Sequence, residues 1–427
     1  MSVTTAELAY CMTLPPKRAV SYLKSKGYSF TWDWEEMWQD AHARAFTVAK
    51  VTRLDILEDI RSALQQALDE GKTDRWFRQQ LEPELQRKGW WGPRDTIDPV
   101  TGEPVTIQQG SPWRLDTIFR TNMSVLYSAG RWAEQMENVD DRPYWMYTGI
   151  NDSHTRKSHL ALHGLVLRYD DPFWQAFYPP NGWRCRCGVI ALSAADVRAR
   201  GLKVSDSGSA MGWELKLVSE KTGEMQNVAT FNTGTTKVAT DVGWSYAPGG
   251  CIPSRPCPLS GYASAAGTAG TERITMASDN LVNITINDES LRRSLRALDL
   301  AATDLEPAMR KIAGTLLAET QFNFLDEGRP GWTPSLAAEE RDGQTLQDTG
   351  RLMGSVSTDH DDRQAAVGTN VVYGPIHQFG GKTGRNESVE LPARPFLPLT
   401  GDGELQPEVV VPILDTIVRH LEAAARR

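Results

Sequence analysis

The chain has 427 residues, 40% of them hydrophobic and 23% charged, with a formal net charge of -8. That length exceeds what one hydrophobic core usually supports, so two or three domains are expected, and the spread of apolar residues excludes a membrane span. Five cysteines are too few for a disulfide scaffold, and -7 of the charge falls beyond residue 280, so no basic excess marks a nucleic-acid grip.

The N-terminus, MSVTTAELAYCMTLPPKRAV, has no basic start or apolar middle of a secretory signal, which leads us to expect folding in a cytoplasm. Apolar residues at three and four residue spacing, from Trp34 through Ala45, Phe46 and Ala49 to Leu64 and Leu68, predict amphipathic helices over 33–68. A further helix is expected over 74–85, ended near Gly89 and Gly92-Pro93, and turn-rich 94–112 suits a hairpin or exposed loop. Helical spacing resumes over 114–139. After Pro143 short apolar and aromatic pieces broken by Gly, Asp and Pro predict strands and ordered loops, followed by a short helix over 193–200 and polar sequence to 250.

Residues 258–270, PLSGYASAAGTAG, have the composition of a linker. Beyond it 281–287 alternates as a strand, 290–324 is a long helical region, 352–380 alternates as strands around Val356, Val367, Val371 and Tyr373, and 409–424 closes as a helix. The expected class is α+β: a helix-rich part (1–142), a small β/loop part (143–257), a flexible linker (258–280) and a compact α+β C-terminal domain (281–427). The two halves show no internal repeat.

His159-x3-His163 and Cys185-x-Cys187 together offer the four nitrogen and sulfur ligands of a tetrahedral structural zinc site, with His154 able to replace either histidine. For both thiolates of Cys-x-Cys to reach one ion, a turn is expected between them. The competing reading packs Cys185 and Cys187 as small residues in a tight turn and leaves the histidines as loop hydrogen-bonders. His-Glu-x-x-His is absent, and Asp152, Asp170 and Asp171 read as turn or cap residues rather than bases. Gly380-Gly381-Lys382-Thr383 lacks the upstream glycine of a phosphate loop, that position being Ile376. His377 reads as an interface or loop-anchoring residue. No catalytic or other cofactor-binding residue is assigned.

Several strings resemble the Mu F-like minor head protein family: Tyr22-Leu23-Lys24-Ser25-Lys26-Gly27-Tyr28, Lys88-Gly89-Trp90-Trp91-Gly92, Asn151-Asp152-Ser153-His154-Thr155-Arg156, and Tyr178-Pro179-Pro180-Asn181-Gly182-Trp183 followed by Cys185-Arg186-Cys187. This resemblance covers about residues 15–250. A second, over about 281–427, is to the Mu G-like virion morphogenesis family, related to tail completion proteins: Leu346-x-x-Thr349-Gly350-x-Leu352, Val367-Gly368-Thr369-Asn370, Tyr373 to Gly381, and Pro392-Ala393-Arg394-Pro395-Phe396-Leu397. Met276 stands where a separate start for the second part is conceivable.

The resemblance implies a structural virion protein acting in head morphogenesis and head-tail completion, assembled in the host cytoplasm. Its implied partners are the portal and major capsid proteins and head-tail connector or tail completion proteins, with packaged DNA as a further contact and no membrane. Two rival readings stay open: a metal-dependent hydrolase or nuclease centred on the His/Cys cluster, and a DNA-contacting packaging or ejection factor.

Overall fold

The computed structural model describes residues 3–32, 45–99, 101–219, 223–250, 296–299 and 304–426. Helix α1 (Thr5–Cys11) starts on a capping box in which the Thr4 hydroxyl accepts the Glu7 N–H and the Glu7 carboxylate accepts the Thr4 N–H. Helix α2 (Lys17–Ser25) leads into β1 (Gly27–Tyr28), which pairs in parallel with β2 (Ala45–Phe46).

Ala45, Phe46 and Ala49 are therefore not helical, as their spacing suggested. Phe46 is buried on a two-residue strand followed by the β-branched Thr47 and Val48, and Ala49-Lys50 form a turn. Trp34 to Ala41 lie outside the described residues.

The rest of the run is α3 (Leu54–Asp69), which buries Ile56, Leu57, Ile60, Leu64 and Leu68 on one face. Helix α4 (Asp74–Arg87) is capped by Thr73, and β3 (Pro93–Ile97) and β4 (Pro104–Gln108) form a hairpin, one of the two alternatives the sequence left open. The 26-residue α5 (Pro112–Glu137) starts with Ser111 as cap and proline in its first turn. Apolar faces of α2, α3, α4 and α5 close the first core.

The strand-rich part is a four-stranded sheet in the order β7-β5-β6-β8. Its strands are β5 (Tyr144–Thr148), β6 (Val166–Arg168), β7 (Gly188–Leu192) and β8 (Val204–Ser205). Period-two alternation sorts its side chains between two cores. Trp145, Tyr147, Val189 and Ala191 face an aromatic cluster with α7 (Phe173–Phe177), whereas Met146, Ile190 and Leu192 face the other way. Helix α6 (Lys157–Leu160) is a single turn between β5 and β6, and α8 (Ala194–Ala199) follows β7. Polar 201–250, given no sheet by its pattern, contains an antiparallel sheet of β9 (Met211–Leu217), β10 (Met225–Asn232) and β11 (Lys237–Ala239).

The expected linker 258–280 and the expected strand 281–287 lie outside the described residues. Of the long helical region, 306–325 is observed as α9 (Glu306–Leu325), buried on nearly every side from Ile312 to Phe324. Such all-round burial belongs to a helix packed between layers. One side of it, Ala318 and Phe322, completes the core formed by Met146, Ile190 and Leu192. Another, including Ile312, Leu316 and Phe324, packs with α13 (Pro407–Ala425) and Phe396.

Between them come α10 (Leu336–Glu340), α11 (Arg351–Ser355), β12 (Ser357–His360), β13 (Ala365–Gly368), α12 (Gly374–Phe379), β14 (Gly381–Thr383) and β15 (Val389–Leu391). The expectation of strands over 352–380 thus holds for the β12–β13 pair, beside Val356 and at Val367, and fails from Val371 onward. Val356 precedes β12, Val371 sits in a buried turn, and Tyr373 is the cap of α12, whose first turn is set by Pro375. No helix among the described residues is long and apolar enough to cross a membrane.

The described residues up to 250 and those from 304 onward touch along a broad seam. Arg142 Nη2 donates to Thr315 Oγ1 at 2.9 Å, and the Gly368 Cα lies so close to the Cys11 carbonyl that a Cβ would fall 1.9 Å from its oxygen. Asn370 closes the C-terminal end of α3, its Nδ2 donating to the Leu68 and Asp69 carbonyls at 2.8 and 3.0 Å. Those carbonyls have no partner within their own helix. Asn370→Ala is therefore expected to cost about 1–2 kcal/mol in urea unfolding, with Asn370→Asp no better because it lacks the donor.

Candidate metal centre

After β5 the chain turns through Gly149 and Ile150 to Asp152, whose Oδ1 accepts the N–H groups of His154 and Thr155 at 3.0 Å each. This side-chain turn launches α6 and so aims His159 inward, where it is 3% exposed. The opposing wall comes from the turn 182–184, after which 185–187 runs extended into β7.

Side chains two apart share a face of extended chain, so no turn is needed between Cys185 and Cys187, contrary to expectation. Their sulfurs lie 3.5 and 3.7 Å from His159 Nδ1. These three ligand atoms all lie within 4.8 Å of one another. Arg186, on the opposite face, reaches Asp152 with both Nη atoms at 2.7 and 2.5 Å and donates to the Asp348 carbonyl at 2.7 Å.

Of the four sequence candidates the structure gathers three. His163 is set apart: its Nδ1 accepts the Gly149 N–H at 3.1 Å, which anchors the β5 exit, and burial pushes its imidazole pKa down. His154, the proposed substitute, lies on the wall of a cavity of about 860 Å³ that also borders Cys185 and Cys187. A hydrogen bond from Cys187, opposed by burial, holds the Cys185 thiol well below the usual range, and the same interaction pushes Cys187 well above it.

The three carboxylates singled out in the sequence are each committed. Asp152 is held by Arg186, Asp170 pairs with Arg168 at 2.8 Å, and Asp171 accepts the N–H groups of Phe173 and Ser207 at 2.9 and 3.0 Å. They are turn and cap residues, as read from sequence. The segment around Lys382 is a hairpin strand rather than a phosphate loop. The backbone carbonyl of His377 accepts the Arg394 N–H at 2.7 Å, and the residue lines the cavity.

Sequence reasoning missed Tyr147, whose buried hydroxyl adjoins the Cys187 sulfur, and the Asp152–Arg186 pair. Strand parity offered a signal for Tyr147, since it shares a face of β5 with Trp145, opposite Met146.

Residues 58–190 match the family described as Phage Mu protein F like protein, and residues 286–422 match the phage virion morphogenesis family. Over 253 residues the chain is 48% identical to protein F of Escherichia phage Mu, a protein named for capsid assembly, and over 222 residues 48% identical to the FluMu F protein of a Mu-like prophage of Haemophilus influenzae. These alignments take 58% and 51% of this chain and 57% and 52% of the relatives, so the chain spans just over half the length of the F proteins it matches. It is also 42% identical to FluMu G protein 2 of the Haemophilus prophage, over 125 residues that are 29% of this chain and 88% of that one. No solved structure matches.

Proposed function

For a chain that belongs to the phage virion morphogenesis family and carries a Mu protein F like segment ahead of it, we propose a non-enzymatic role as a minor head protein of the virion. It acts in capsid assembly and head-tail completion by protein contacts, assembling in the host cytoplasm with portal, major capsid and head-tail connector or tail completion proteins. The observation that carries this reading is the 48% identity to a protein named for capsid assembly, on the same chain as the virion morphogenesis match.

The surface supports binding rather than turnover. On β9 the alternating Trp213, Leu215 and Leu217 are 58%, 62% and 51% exposed, and on α13 Val411, Leu414 and Val418 form a second exposed apolar stripe. Apolar groups gathered on one face suit protein interfaces. No observation favours the hydrolase, and Asp152, Asp170 and Asp171 are already paired or capping.

Mass spectrometry of purified particles tests the role: the chain is expected in full heads, and Trp213→Ser/Leu215→Ser is expected to reduce its incorporation at least tenfold. Particles that are complete and infectious without the chain would sink the proposal. Salt-dependent retention on DNA at low salt would instead support the packaging reading.

A further inference from the structure

We propose that His159, Cys185 and Cys187 bind one zinc ion, through His159 Nδ1 and two thiolates. A tetrahedral ion with Zn–S near 2.3 Å and Zn–N near 2.0–2.1 Å holds its sulfur and nitrogen ligands about 3.6 Å apart. The two sulfur-to-Nδ1 distances here are 3.5 and 3.7 Å, so the donors stand at ligand separation.

The donor chemistry selects the metal. Two soft thiolates with an imidazole favour zinc over magnesium or calcium, which require oxygen ligands. An independent observation points to the same place: the Tyr147 hydroxyl, fully buried, has no nitrogen or oxygen partner and has the Cys187 sulfur as its polar neighbour. A metal-bound thiolate accepts that O–H bond well, and donors to ligand atoms are the usual second layer of a metal site.

The described residues place no fourth cysteine, histidine or carboxylate in the cluster, and both cysteines border the cavity. The fourth ligand is accordingly a water molecule from that cavity. Binding releases the thiol protons to solvent as two S–Zn bonds form. The ion ties α6 to the segment entering β7, next to Arg186, which grips the Asp348 carbonyl beyond the linker. Its role is to stiffen the seam between the two halves.

The test uses the full chain purified without chelators. Elemental analysis is expected to find about one zinc per chain, and X-ray absorption to find two sulfur and two nitrogen or oxygen neighbours at the distances above. His159→Ala and Cys187→Ser are expected to fall below about one-tenth of an equivalent, while His163→Ala keeps the full complement. The unmutated chain is also dialysed against zinc, then cobalt(II), and is expected to show sulfur-to-cobalt charge transfer. A folded unmutated chain that takes up neither metal overturns the proposal whether or not the variants fold, as does undiminished zinc with unchanged sulfur ligation in Cys185→Ser/Cys187→Ser.

Discussion

Asp152→Ala is expected to destabilise the chain by about 3–5 kcal/mol in urea or guanidinium unfolding, because it strands buried positive charge. The Asp152 carboxylate is fully buried, receives both Nη atoms of Arg186, and has Arg341 Nε at 3.5 Å. Arg186→Met is expected to cost a similar amount by stranding the carboxylate. Asp152→Leu combined with Arg186→Met should recover much of the loss, since the pair's desolvation cost disappears with its attraction. A loss below about 1 kcal/mol for Asp152→Ala would refute the buried-pair account.

The same pair sets a pH dependence. Burial alone would raise the Asp152 pKa, but the hydrogen bonds and charge of Arg186 outweigh it and hold the carboxyl below its ordinary value. A carboxylate with a lowered folded-state pKa contributes stability that is present above its unfolded value, near 3.9, and lost as pH falls through the folded value. The difference in unfolding free energy between the parent chain and Asp152→Asn is therefore expected to shrink on acidification from pH 5 to below 3.

Where a physical rule acts locally, the sequence was readable. Period 3.6 located α3, α5 and α13, turn chemistry located the β3–β4 hairpin, and the cap preference of Asp and Ser accounts for Asp152, Asp171 and Ser193. Spacing alone misled at Ala45-Phe46, because alanines three and four apart carry little helical signal beside β-branched neighbours. The candidate site was three-quarters legible. Cys-x-Cys and the first histidine converge because strand parity and one turn of helix aim them together, but nothing in a four-residue spacing says that α6 ends at Leu160, which leaves His163 in the following turns to meet the Gly149 N–H. Contacts such as Asn370 on the end of α3 join residues 301 or more apart and have no local signature.

Those distant contacts lead to the second large effect. Phe322→Ala is expected to cost about 3–5 kcal/mol, and to loosen the sheet on the far side of the linker as much as α9 itself. Phe322 is 1% exposed and packs in one cluster with Met146, Ile190 and Leu192, while the Arg200 guanidinium lies 3.5 Å from the centre of its ring. Phe324, two residues on, turns to Trp332 and Phe396 instead, inside the C-terminal part. Amide hydrogen exchange separates the two substitutions. Phe322→Ala should speed exchange in Tyr144–Thr148 and Gly188–Leu192, whereas Phe324→Ala, of similar size and helix position, should leave those strands protected under conditions of local opening. Equal protection of the strands in both variants would mean that the halves fold independently, since a cavity opened in a shared core must be felt by every element that lines it.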